Sequence, residues 1–126
     1  MRKNTFSLWA FAGLALAVAP AAPAHHSAAM FDQARSRELT GTVRQFQWTN
    51  PHCYIQLLVR NANGEDEEWS IEMAAPMHLY GQGWRPTTVK PGDRIKVKIH
   101  PLRNGDKGGE IEDAVTLDGK PLGRRS

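Results

Sequence analysis

The chain has 126 residues, with 16 Lys and Arg against 13 Asp and Glu, five His and a single Cys. This length supports one small domain around one core and excludes a two-domain organisation. A lone cysteine excludes an internal disulfide, so stability has to come from packing or from a bound metal.

Residues Met1 to Ser7 carry Arg2 and Lys3 and no acid, and the uncharged run "LWAFAGLALAVA" follows from Leu8 to Ala19. A basic start before a short apolar run predicts a secretory signal peptide, since the run falls well short of the about 20 residues a spanning helix needs. An A-x-A cleavage motif stands at Ala19-Pro20-Ala21 and again at Ala22-Pro23-Ala24. The sequence turns polar only at His25, which favours the second site and makes residues 1–24 the signal peptide. The expected location is periplasmic or secreted, with no membrane contact after cleavage.

Taking 24 residues from 126 leaves a mature chain of 102 that begins at His25. Losing Arg2 and Lys3 reduces the basic residues from 16 to 14 against 13 acids, a net charge of +1. That removes the electrostatic argument for nucleic acid, which is not an expected partner on this reading.

Residues 25–38 read as an N-terminal arm and residues 39–122 as the domain. From Leu39 the apolar residues recur with period two, the mark of strands. "LTGTVRQFQW" sets Leu39, Gly41 and Val43 on one face and then shifts phase to Phe46 and Trp48, which predicts a bulge or sharp bend. "HCYIQLLVR" turns Cys53, Ile55, Leu57 and Val59 inward and His52, Tyr54 and Gln56 outward. "NANG" at residues 61–64 is a hairpin signal, and the acids of "EDEE" at residues 65–68 read as its solvated turn. "EEWSIEM" is the third strand, with Trp69, Ile71 and Met73 inward.

In "APMHLYGQG", Pro76 suits a first helical turn and Gly81 and Gly83 suit its end, which predicts a short helix. A Pro-Gly turn then leads into a strand with Ile95, Val97 and Ile99 inward, and "EIEDAVTL" supplies the last strand. Three strands, a short helix and two strands give the order of an OB-fold, a five-stranded Greek-key barrel with a bent first strand. The fold expected is therefore all-β, a small OB-like barrel. A sandwich usually uses about seven strands.

Three of the histidines stand at two places, His25 and His26 at the mature start and His52 in "WTNPHCY". An N-terminal histidine chelates Cu(II) through its free amine and Nδ1 together, and a second imidazole completes a three-nitrogen set of the kind copper favours. His25, His26 and His52 are thus the candidate metal ligands, with copper the expected metal. A solvated tail is the plainer reading of His25 and His26. Nothing supplies a clear tetrahedral set of four ligands for zinc. Trp48, Asn50 and Tyr54 beside His52 form a candidate ligand face, while Phe46 and Trp48 serve equally as caps over the core.

Cys53 cannot pair with His52 as nucleophile and base, because neighbours along a strand point to opposite faces. His78 and His100 read as surface residues. There is no Gly-rich phosphate loop, G-x-S-x-G, CxxC or H-E-x-x-H, so the sequence makes no case for an enzyme.

"HHSAAMFD", "LTGTVRQFQWTNPHCYIQL", Gly83-Trp84 and "VKPGDRIKV" together resemble a bacterial family of small exported proteins known only as a domain of unknown function. The likeness runs from His25 to about Leu122. It departs from the family pattern at Ala28 or Ala29, where an apolar or aromatic residue is usual, and at Cys53, where alanine is usual. The resemblance implies an exported OB-like domain and brings no activity with it. Its recurring features fall on His25, His26, Trp48, Asn50, Pro51 and His52. Two functions stay open, a copper-binding protein built on His25 and a metal-free module holding a saccharide, peptide or protein partner.

Overall fold

The computed structural model describes residues 28–123, five strands and one short α-helix. Strands β1 (Arg37–Gln47), β2 (Tyr54–Arg60), β3 (Asp66–Glu72), β4 (Arg94–Pro101) and β5 (Gly108–Thr116) close into a barrel in the order β1-β2-β3-β5-β4. Helix α1 (Pro76–Gly81) joins β3 to β4. The expected OB-like barrel is the fold observed.

β1 is the longest strand because it serves two partners, β4 along its first half and β2 along its second. The change of partner needs a bend. The pairing with β2 slips between Val43 and Gln45, leaving Arg44 as the extra residue of a bulge. Gly41 lies in the same bend, where a Cβ would fall 2.4 Å from the Leu58 carbonyl oxygen and 2.8 Å from Leu57 Cγ. Only glycine lets the two strands approach that closely.

Alternation fills the core as read from the sequence. Leu39, Val43, Cys53, Ile55, Leu57, Trp69, Ile71, Met73, Ile95, Val97 and Ile99 are all buried. Each fully buried aliphatic side chain contributes about 1.5–3 kcal/mol, so this cluster is the main stabilising element. No polar or charged residue is buried among the described residues.

Six residues are too few for a helix stable on its own, so α1 depends on what it packs against. Pro76 starts it, and the amide of Trp84 donates to the Leu79 carbonyl at 2.9 Å as the chain leaves through Gly83 at φ +86. Leu79 and Trp84 insert into the core, while Met77 and Tyr80 remain exposed. Of the acids at residues 65–68, Glu67 and Glu68 lie in β3 as "EEWSIEM" predicts, and Asp66 begins that strand rather than standing in the turn; Arg60 and Arg44 hold Asp66 and Glu68 at 2.9 Å.

Residues 28–36 lie against the β4–β5 end of the barrel. Phe31 is buried and bridges to Leu102, and the amide of Asp32 donates to the Pro101 carbonyl at 2.8 Å. Among the described residues, no helix is long and apolar enough to cross a membrane.

Candidate functional site

β3 and β5 run parallel and pair only from Ser70 to Glu72 with Gly108 to Glu110. Beyond Glu72 the chain turns away into α1, while β5 continues alongside β4. The divergence opens a groove of about 670 Å³. Met73, Leu79, Trp84, Ile111, Ala114 and Leu122 give it apolar surface, and His52, Glu72, His78, Glu110, Glu112 and Asp113 give it ionisable groups. No Lys or Arg is among the described residues that line it.

Direct cross-strand partners share a face, so the register places Tyr54, Glu72, Glu110 and His100 in one row over β2, β3, β5 and β4. His52 stands at one end of this row, in the turn before β2, where its carbonyl accepts from Thr49 Oγ1 at 2.8 Å. Its Nδ1 faces the Glu72 carboxylate, which is mostly buried. Burial pushes the Tyr54 phenol up, and the charge of Glu72 with its hydrogen bond to Tyr54 adds to the shift. His52, Glu72 and Tyr54 therefore form one coupled group, a carboxylate between an imidazole and a phenol.

The arm meets the other end of the row. Gln33 Nε2 donates to Glu110 at 2.7 Å, Ser36 Oγ to Glu112 at 2.6 Å, and His100 Nδ1 lies 2.9 Å from the Arg35 carbonyl oxygen. Hydrogen bonds from Lys98 and Ser36 hold the Glu112 carboxyl below its usual range.

Of the residues singled out in the sequence, His52 and Tyr54 come together around Glu72. Trp48 turns to the core and meets the Phe46 ring edge-on, with centroids 5.7 Å apart. Asn50 is exposed in the turn. His25 and His26 lie outside the described residues. Among those described, no three His, Cys, Asp or Glu side chains are arranged to hold a metal ion.

Sequence reasoning passed over Glu72, Glu110, Glu112 and Asp113, which read as the polar face of strands, and His78, which read as surface. The signal was partly present in "EIED", which concentrates three acids in four residues. Which strand lies beside it was not.

A closed five-stranded barrel in this strand order, with one short helix between the third and fourth strands, is an OB-type fold. The chain belongs to the family of unknown function DUF6152, whose model matches residues 14–111. No curated protein matches it. Among solved structures it is similar to the mitochondrial single-stranded DNA-binding protein Rim1 of S. cerevisiae. One crystal form matches at a TM-score of 0.50 and 10% identity over 66% of this chain and 93% of that one. A second form matches at 0.48 and 11% over 72% and 98%.

The first likeness shows the shared fold, and it corrects one expectation. Nucleic acid was set aside on a net charge of +1, yet a single-stranded DNA-binding protein is built on this same barrel. Net charge averages over a surface, whereas binding depends on the local distribution of charge and hydrogen-bonding groups.

Proposed function

We propose that this is an exported copper-binding protein in which His25, leading the mature chain, chelates Cu(II) and His52 supplies a further imidazole, with His26 as an additional ligand. The observation that carries the reading is the contact of Glu72 with His52 Nδ1. A carboxylate behind a ligating imidazole fixes its ring, raises its basicity and directs Nε2 to the metal. The acidic groove beside it favours a cation.

The described arm is anchored at Arg103, whose backbone amide and side chain donate to the Met30 and Ala29 carbonyls, so the copper reading requires residues 25–27 to carry His25 from that anchor to His52. Cu(II) titration of the mature protein tests this, with His52→Ala expected to weaken binding by about tenfold. Equal affinity in the two proteins would refute the role of His52.

The fold favours a second reading, a metal-free ligand on the outer face of β1, β2 and β3. There Gln56 Nε2 donates to Gln47 Oε1 at 2.8 Å and to Ser70 Oγ at 3.2 Å, a neutral hydrogen-bonding surface suited to an extended saccharide, peptide or single-stranded nucleic acid. The yeast protein of the same fold is a single-stranded DNA-binding protein. Anisotropy titration with a labelled oligonucleotide and an oligosaccharide, in chelator, tests it. Binding that is unchanged by His52→Ala would favour this second reading.

A further inference from the structure

The groove between β3 and β5 has an apolar floor and an acidic mouth. Met73, Leu79, Trp84 and Ala114 line it and are otherwise buried in the core. Pro121 bridges to Val115, and the amide of Leu122 donates to the Ala114 carbonyl at 2.9 Å, so residues 121–122 form a wall along β5. Gly123 continues that wall against Trp84, where a Cβ would fall 2.0 Å from the indole nitrogen. At the mouth, Glu72 pairs directly with Glu110, the last pair before the two strands part. Neighbouring strands lie about 4.8 Å apart, and like charges set directly opposite one another destabilise a sheet. Glu72 meets His52 and Tyr54, and Glu110 meets the neutral Gln33 amide. Glu112 has Lys98 at 2.7 Å, but the described lining brings no Lys or Arg to stand between Glu72 and Glu110.

We propose that this groove binds a small organic cation, an ammonium carried on a compact apolar body, with its charge between Glu72 and Glu110 and its body against Met73, Leu79 and Ile111. Charge complementarity selects the head, because an ammonium between two carboxylates replaces their mutual repulsion with charge-assisted hydrogen bonds. The floor selects the body, because apolar surface there is stabilised by leaving water. A volume of about 670 Å³ falls within the range of about 300–1,000 Å³ usual for small-molecule sites. An inorganic cation satisfies the mouth alone, and a neutral apolar molecule satisfies the floor alone. A lysine borne on a protein partner brings polar backbone that the apolar floor leaves without hydrogen bonds. The inference goes beyond the copper reading, because it needs neither His25 nor a metal.

Nuclear magnetic resonance titration of the mature protein in chelator at low salt tests it, with 2-phenylethylammonium as the probe. Saturable shifts are expected at the Leu79 and Ile111 methyls and the Trp84 indole. Three comparison ligands should each bind at least about tenfold more weakly. These are 2-phenylethanol, which keeps the body without the charge, methylammonium, which keeps the charge without the body, and N-acetyl-lysine methylamide, which stands for a protein partner. Glu72→Gln/Glu110→Gln should weaken the probe by at least about tenfold, with the remaining barrel resonances in place. The comparison ligands act on the unaltered protein, so they decide the matter even if the double variant does not fold. Absence of saturable shifts would overturn the proposal, as would equal affinity for the alcohol, tighter binding of the lysine amide, or unchanged affinity in the folded double variant. A failed copper titration leaves every one of these expectations as it stands.

Discussion

The Glu72 carboxylate stands between His52 Nδ1 and the Tyr54 phenol, linking the turn before β2 to the outer face of β3. This contact joins His52 and Glu72, residues 20 apart in the chain, and the same carboxylate raises the Tyr54 phenol.

Its effect on Tyr54 can be titrated directly. Burial and the negative charge of Glu72 both disfavour the phenolate, so Glu72→Gln should lower the Tyr54 pKa while leaving it above the ordinary 10.0, because burial is the larger cause. Ultraviolet titration at alkaline pH in a Tyr80→Phe background reads Tyr54 alone. An unchanged midpoint would mean that the carboxylate does not act on the phenol.

Cys53 is fully buried between Pro51-His52 and β2, and burial pushes its thiol up. A thiol reagent should therefore label it slowly in the folded protein and rapidly in denaturant. Cys53→Ala should cost about 1 kcal/mol in urea unfolding through lost packing, with copper affinity unchanged. Rapid labelling of the folded protein would contradict the inward phase of β2.

Gly41→Ala tests the bend in β1. With the Leu58 carbonyl oxygen 2.4 Å from the added carbon, the strands must separate, at a cost of about 1–3 kcal/mol by denaturant unfolding. A neutral result would show that the bend tolerates a side chain.

Acid should loosen the arm. Lys98 and Ser36 hold Glu112 below the ordinary carboxyl value of 4.5, so the stability it contributes is complete above that value and is lost as pH falls through the lower folded one. The melting temperature should decline on acidification below about pH 4.5, with a shallower slope in Glu112→Gln. Equal slopes would remove Glu112 from the link between Ser36 and β5.

The barrel was legible because it rests on local pattern. Ile55, Leu57, Ile95, Val97 and Ile99 alternate with polar neighbours, and the phase shift between Val43 and Phe46 announces the bulge that lets one strand serve two partners. Pro76 and Gly83 bracket the helix for reasons equally local. The groove was not legible, because it arises from the parallel pairing of β3 with β5, about 38 residues apart in sequence. Glu72 and Glu110 look like solvated strand faces until that pairing makes them neighbours. Gly123 is similar: nothing local shows that Trp84 occupies the space its side chain would need.

The most direct test of the copper reading is one glycine inserted before His25. It leaves every side chain unchanged and moves the free amine out of the chelate with Nδ1. Cu(II) titration should show binding at least about tenfold weaker than in the mature protein, about 1.4 kcal/mol. Electron paramagnetic resonance should show one fewer nitrogen ligand, and affinity in both proteins should fall between about pH 7 and 5 as amine and imidazoles protonate. Identical affinity and identical nitrogen count in the two proteins would contradict the account.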